Sequence, residues 1–261
     1  MKLINSGLDK DLTYFEHNLN SSETANIFIH GVGLDNTMWL PQKKFFSKTQ
    51  VVFYDLLNHG KSKRGYSDIN FDHFSHQLSN LINFLNLKKI NLIGFSIGAL
   101  IAQHFALKNQ QKLNKLIIIA SVYDRSKKQI EKVKKRYKAA LKGANISDDS
   151  INRWFNLRYL KKNPSVYNFF YELLNKKKSE DFLPAYKLFV ESDNYHLDFS
   201  YFKIPTLIMT GKNEVGSTPK MSEKLHKKIE NSKLYIIPNA KHMASFEKHE
   251  TVNKKIKKFI D

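Results

Sequence analysis

The chain has 261 residues, 41% of them hydrophobic, enough for one sizeable core and for a single domain carrying an insertion. It contains no cysteine, which excludes disulfides, thiol nucleophiles and thiolate metal sites, and no stretch reaches the roughly 20 apolar residues that a membrane span requires. The formal charge of +19 raises the question of polyanion binding, but the excess is nearly all Lys and spread over the whole chain, so a compositional bias with no specific nucleic-acid partner is the expectation.

The opening "MKLINSGLDK" lacks the apolar segment of a secretory signal, which predicts a soluble, cytoplasmic protein. Four short aliphatic runs follow: "NIFIH" (26–30), "VVFYD" (51–55), "INLIGF" (90–95) and "KLIIIA" (115–120). Continuous β-branched runs of this kind predict strands buried on both faces of a parallel sheet. Helical patterns lie between the later ones. Phe71, Phe74, Leu78, Leu81 and Leu85 form one apolar stripe, and Ile97, Ile101 and Phe105 repeat every fourth residue. Alternation of strand and helix means βαβ units and an α/β fold.

After Ala120 the strand pattern stops. Some eighty residues of helical, aromatic and basic sequence follow, with Pro164 and Pro184 as first-turn or break positions and the run "KKQIEKVKKRYK" (127–138) as a solvated helix face. "IPTLIMTG" (204–211) and "KLYIIP" (233–238) resume the strands, and the amphipathic "TVNKKIKKFI" closes the chain. The expected organisation is a sheet domain from residues 1–121 and 201–261, interrupted by a helical lid over 122–200. An insertion after a central strand lies over the C-terminal strand ends, where open α/β sheets bind ligands.

Residues 94–98, Gly-Phe-Ser-Ile-Gly, put Ser96 between a strand and a helix with the G-x-S-x-G spacing. In that context a sharp turn exposes the hydroxyl, while the helix N-terminus supplies amides for a developing oxyanion. "HGVGLDNTMW" (30–39) is a strand end running into a Gly-rich loop. It lacks the third glycine and the acidic partner of a dinucleotide site, and suits the second half of an oxyanion hole, with amides from Val32 and Ile97 and support from His30 and Trp39. A simple tight turn is the competing reading.

A serine hydroxyl needs a base. His242 follows the last strand run and precedes the final helix, which places it at the C-terminal sheet edge. His73, His76, His104 and His226 fall on helices, His59 in a loop and His196 in the lid. For the acid that orients an imidazole, Glu214, just past the penultimate strand, is favoured over Asp124, just past "KLIIIA".

These motifs together resemble the α/β-hydrolase superfamily over nearly the whole chain. The oxyanion loop "HGVGLDNTMW" is followed by "YDLLNHGKS", the elbow "GFSIG", the acid loop "TGKNEVGSTP" and the histidine loop "PNAKHMASFE". The resemblance implies a mostly parallel central sheet flanked by helices, a triad of Ser96, Glu214 and His242, and no cofactor or metal. "NRWFNLRYL" and "STPKMSEKL" are similar to the branch that contains 3-oxoadipate enol-lactonases and carboxylesterases. That branch implies a small ester or lactone substrate, a pocket including Phe95 and Trp154, and Arg125, Arg153 or Arg158 as receivers of a substrate carboxylate. Three positions depart from the pattern. Glu214 stands for the usual Asp, Lys241 for a Gly, and His249 for a Pro. The expected activity is serine hydrolysis of esters or lactones through an acyl-enzyme, by a monomer or homodimer. Carbon–carbon hydrolysis of diketone-like acids, or ligand binding without turnover, are the alternatives.

Overall fold

The computed structural model describes residues 5–19, 24–176 and 179–261. Eight strands form one sheet. β1 (Asn5–Leu8) and β2 (Tyr14–Asn18) open the chain as an antiparallel hairpin. β3 (Thr24–Ile29), β4 (Val51–Tyr54), β5 (Lys89–Phe95), β6 (Leu113–Ile119), β7 (Thr206–Gly211) and β8 (Ser232–Ile237) follow. The spatial order is β1-β2-β4-β3-β5-β6-β7-β8, and every neighbouring pair from β4 to β8 is parallel. β2 joins the parallel part antiparallel to β4.

The six parallel strands coincide with the six aliphatic runs, because burial on both faces, complete in β4 and β7 and lost toward the half-buried outer strand β8, selects mostly apolar side chains. Ile27 and Ile29 enter the core on one face, and Phe28, between them, enters the core on the other. All three are fully buried, and each such side chain is worth about 1.5–3 kcal/mol of transfer free energy. The hairpin was not legible in this way, since β1 is largely exposed and β2 only half-buried.

Helices cover both faces. α1 (Leu40–Phe45), α2 (Phe71–Phe84) and α3 (Ile97–Lys108) precede the insertion. α2 buries the predicted stripe of Phe71, Phe74, Leu78 and Leu81. Asn70 caps it, its side chain accepting from the His73 amide while the His73 ring accepts from the Asn70 amide. Between β6 and β7 lie α4 (Lys127–Leu141), α5 (Ser147–Trp154), α6 (Leu157–Lys162), α7 (Pro164–Asn175) and α8 (Ser179–Val190). Pro164 starts α7, as expected of a ring with no N–H to lose in the first turn. Pro184 lies inside α8 and does not break it, so only one hydrogen bond of the early helix is forfeited. α9 (Pro219–Lys228), α10 (Ala244–Glu247) and α11 (His249–Ile260) complete the chain.

The insertion packs in two ways. Ile151, Trp154 and Phe155 of the α5 segment join the core cluster of Phe28, Trp39 and Phe95. Val133 and Ala140 of α4 instead pack with Tyr186 and Val190 of α8 as a small separate cluster.

Candidate active site

At the centre of the sheet the chain turns from β5 into α3 through Ser96, whose φ of 57° and ψ of −118° are strained for a residue with a side chain. The turn is held on both sides: the Ser96 amide donates to Ile119 O (3.0 Å), and Ser96 O accepts from Ala99 N (3.0 Å). Its two glycines are required by space. A Cβ on Gly94 would lie 2.3 Å from Gly98 O, and one on Gly98 would lie 2.5 Å from the carbonyl oxygens of both Ile29 and His30. Ile97 opens α3, so its amide is one of the orphan donors at the positive end of the helix.

Two buried histidines knit the neighbouring loop together. His30 Nε2 accepts from Leu56 N (3.0 Å) and His59 Nε2 accepts from Gly33 N (3.1 Å). Each ring is therefore the Nδ1–H tautomer, with Nδ1 donating to Gly31 O and to Leu57 O respectively, both at 2.8 Å. Behind them, Asp55 accepts from the amides of Asn36 and Lys61, both at 2.8 Å. A Cβ on Gly60 would fall 2.0 Å from its carboxylate. The "DLLNHGKS" segment is thus a scaffold that fixes the backbone at Gly31–Gly33. Among the described residues the Val32 amide has no acceptor.

Glu214 sits in the loop after β7 and is buried. Its Oε1 accepts from Gly216 N (2.5 Å) and Ser217 N (2.9 Å), while Oε2 stands 3.4 Å from Nδ1 of His242, which lies between β8 and α10. Burial works to raise the Glu214 carboxyl, but the imidazole of His242, the Ser217 amide and the nearby Arg153 outweigh it, holding the carboxyl down at about 2. The His242 backbone is anchored by its neighbour, Met243 N donating to Trp154 O (3.0 Å). Asp124 lies elsewhere: its exposed carboxylate pairs with Lys224 Nζ at 2.5 Å. The extra methylene of Glu214 relative to Asp is taken up by the turn that folds its carboxylate back over its own loop.

Ser96 and His242 line one cavity of about 430 Å³, together with Val32, Phe95 and Trp154. The Phe95 and Trp154 rings lie 4.8 and 6.0 Å from the imidazole of His242. His30 and Trp39 do not reach this cavity and act from behind it, Trp39 packing edge-on against Phe28 and Phe95. Arg158 is exposed on α6 and outside the cavity. Arg125 lines it but is tied to Asp193 (2.6 Å) and to the carbonyls of Phe189 and Val190. Arg153 also lines it. The basic run on α4 contributes four lining residues, Gln129, Lys132, Val133 and Arg136, which its reading as a solvated face missed. Their spacing of three and four places them on one helix face, and that was the available signal. Among the described residues no group of His, Asp and Glu could hold a metal ion, and no helix is long and apolar enough to cross a membrane.

A family model for the alpha/beta hydrolase fold matches residues 27–249, and the chain belongs to this family. The (E)-2-((N-methylformamido)methylene)succinate hydrolase of Acinetobacter baylyi is 27% identical over 237 residues, 90% of this chain and 89% of its own. The 3-oxoadipate enol-lactonase 2 of the same organism is 21% identical over 230 residues, 88% of this chain and 85% of its own. The crystal structure of a hydrolase from Pseudomonas aeruginosa PA01 shares the fold with a TM-score of 0.84 at 17% identity, over 98% of each chain.

Proposed function

We propose that this member of the α/β-hydrolase family is a serine hydrolase of small carboxylic esters or lactones, with residues 122–200 as the lid of its active site. The observation that carries the reading is the convergence at one cavity of Ser96 on its strained turn and of His242, backed by Glu214 at 3.4 Å. Ser96 Oγ attacks the acyl carbon as His242 Nε2 takes its proton. Glu214 holds the ring in the Nδ1–H tautomer and stabilises the imidazolium. The amides of Val32 and Ile97 receive the oxyanion, each donor being worth about 3–4 kcal/mol in the transition state. His242 then protonates the leaving group, and water releases the acyl group by the same steps reversed. The relatives named as a 3-oxoadipate enol-lactonase and as an (E)-2-((N-methylformamido)methylene)succinate hydrolase support an acyl substrate for this chain. The reading further takes the enzyme as cytoplasmic and acting as a monomer or homodimer.

Within the lid, the α5 segment and the Ala185 and Leu188 side chains of α8 continue the main core clusters, whereas α4 packs chiefly on α8. Opening is assigned to α4 for that reason. The test is p-nitrophenyl acetate hydrolysis: steady turnover in the wild type, abolished in Ser96→Ala, is expected. A single slow turnover, or turnover that survives Ser96→Ala, would overturn the reading. Product analysis with a diketone acid separates ester cleavage from carbon–carbon cleavage.

A further inference from the structure

We propose that Glu247 is a positioning residue of the active site: through Asn156 it binds the junction of α5 and α6 to the loop that carries His242, and so fixes the place of the imidazole. The proposal rests on the serine-hydrolase reading and extends its machinery to two residues that do not line the cavity.

Residues 152–156 of the insertion grip residues 239–247. Met243 N donates to Trp154 O (3.0 Å). Asn156 N donates to Glu247 Oε2 (3.0 Å), and Asn156 Nδ2 donates both to Glu247 Oε1 and to Asn239 O, the latter at 2.9 Å. Lys241, next to His242 in the chain, reaches Asn152 O with its Nζ (3.2 Å). From the opposite side the loop of Glu214 holds the same segment, Asn213 N donating to Ala240 O (2.8 Å). His242 is thus clamped between the Glu214 loop and the insertion.

Two observations single out the Asn156–Glu247 contact. An Asn at a helix N-cap ordinarily turns its side chain to the amides of its own helix. Asn156 is the N-cap of α6 and makes no such bond, its side chain being diverted to Glu247 and Asn239. Glu247 in turn is buried, and among the described residues no Lys, Arg or His pairs with its carboxylate. A carboxylate out of water is costly unless hydrogen-bonded, and the two donors of Asn156 supply bonds strengthened by its charge.

The junction passes this constraint to the imidazole. The Trp154 ring lies 6.0 Å from that of His242, and Trp154 O holds the amide of the residue after it. Phe155, fully buried, packs on Phe170 and Phe246, so the junction moves as a unit. Any shift there displaces the wall beside the ring and the backbone next to it together. With Glu214 Oε2 already 3.4 Å from Nδ1, there is little slack. Misplacing a reacting group by about 1 Å costs about a hundredfold in rate.

The test compares kcat and KM for p-nitrophenyl acetate in wild type, Glu247→Ala, Glu247→Gln, Asn156→Asp and the double variant Glu247→Gln/Asn156→Asp, each shown by thermal melting to be folded at the assay temperature. In Glu247→Ala kcat should fall between about tenfold and a hundredfold, with KM changed less than about threefold. Glu247→Gln keeps an oxygen for the Asn156 amide and should recover part of the loss; it carries the comparison if the alanine variant does not fold. Asn156→Asp sets two carboxylates face to face and should lower kcat as far. The double variant puts an amide back between them and should exceed Asn156→Asp by at least about threefold. A residue that only stabilised the fold would lower the melting temperature and leave kcat of the folded protein unchanged. Acrylamide quenching reads the clamp without turnover. The chain has two tryptophans, Trp39 being fully buried and Trp154 lying against His242, so quenching should rise in Glu247→Ala and Glu247→Gln. Wild-type kcat in the folded Glu247 variants, no recovery in the double variant, or unchanged quenching would overturn the proposal. A wild type that neither turns over ester nor labels at Ser96 would instead strike the serine-hydrolase reading, and the quenching comparison then decides the clamp by itself.

Discussion

The carboxylate of Glu214 stands 3.4 Å from Nδ1 of His242, with its second oxygen fixed by the amides of Gly216 and Ser217. That distance suits an ion pair and is long for a hydrogen bond, so it fits a resting site that tightens as the imidazolium forms. Glu214→Gln keeps the shape but leaves no charge opposite the ring. We expect kcat for ester hydrolysis to fall about a thousand- to ten-thousand-fold. Asp124→Asn breaks only an exposed pair with Lys224 and should change kcat less than about threefold. A reversed order of the two effects would move the acid role to Asp124.

The same carboxyl links activity to acid stability. Its folded-state value, about 2, lies below the ordinary 4.5. A depressed carboxyl contributes its stability in full above the unfolded value and loses it as pH falls through the folded one. The stability advantage of wild type over Glu214→Gln should thus shrink from pH 4.5 downward. Thermal melts of the two proteins between pH 7 and 3 measure it. An advantage that does not shrink between pH 4.5 and 3 would contradict the assignment.

His59 offers a separate handle on the oxyanion loop. It accepts from Gly33 N, and His59→Leu removes that acceptor from a buried site. A cost of about 1–3 kcal/mol in unfolding free energy is expected from the stranded amide. A drop in kcat larger than the change in KM should accompany it if the Val32 amide of this loop acts in the transition state, as proposed. Urea denaturation and initial rates check both. His59→Gln, which restores an acceptor, should recover part of the loss.

Gly98 tests the turn itself. A methyl group there meets two backbone carbonyls at 2.5 Å, neither of which can rotate away as a side chain would. Gly98→Ala is expected to cost about 1–3 kcal/mol or more and to abolish labelling of Ser96, read by denaturation and by reaction with a fluorophosphonate.

How much of this was legible in the sequence differs by element. The parallel strands could be read because burial on both faces leaves an unbroken apolar run, as in Ile27 to Ile29 and Leu116 to Ile119. Ser96 could be read because its two glycines answer to close backbone contacts. The β1–β2 hairpin could not, since an edge with one wet face and only four or five residues per strand carries no such run. The role of α4 was hidden for another reason. A lysine or arginine on a helix face looks the same whether that face meets water or an interior cavity, and only the packing of α4 against α8 decides that Lys132 and Arg136 look inward. Arg158 shows the converse: it is as basic as Arg136, but α6 turns it to solvent. The choice between Glu214 and Asp124 depended on which loop folds back toward His242, a long-range fact that no local pattern encodes.

The central claim is that the hydroxyl of Ser96 is an activated nucleophile served by His242. Its most direct test is covalent labelling with a fluorophosphonate, followed by mass mapping of the modified peptide. The account predicts stoichiometric attachment at Ser96 in the wild type, loss of the label in Ser96→Ala, and labelling slowed at least a hundredfold in His242→Ala. Attachment at another residue, or no attachment to a folded wild-type protein, would contradict it.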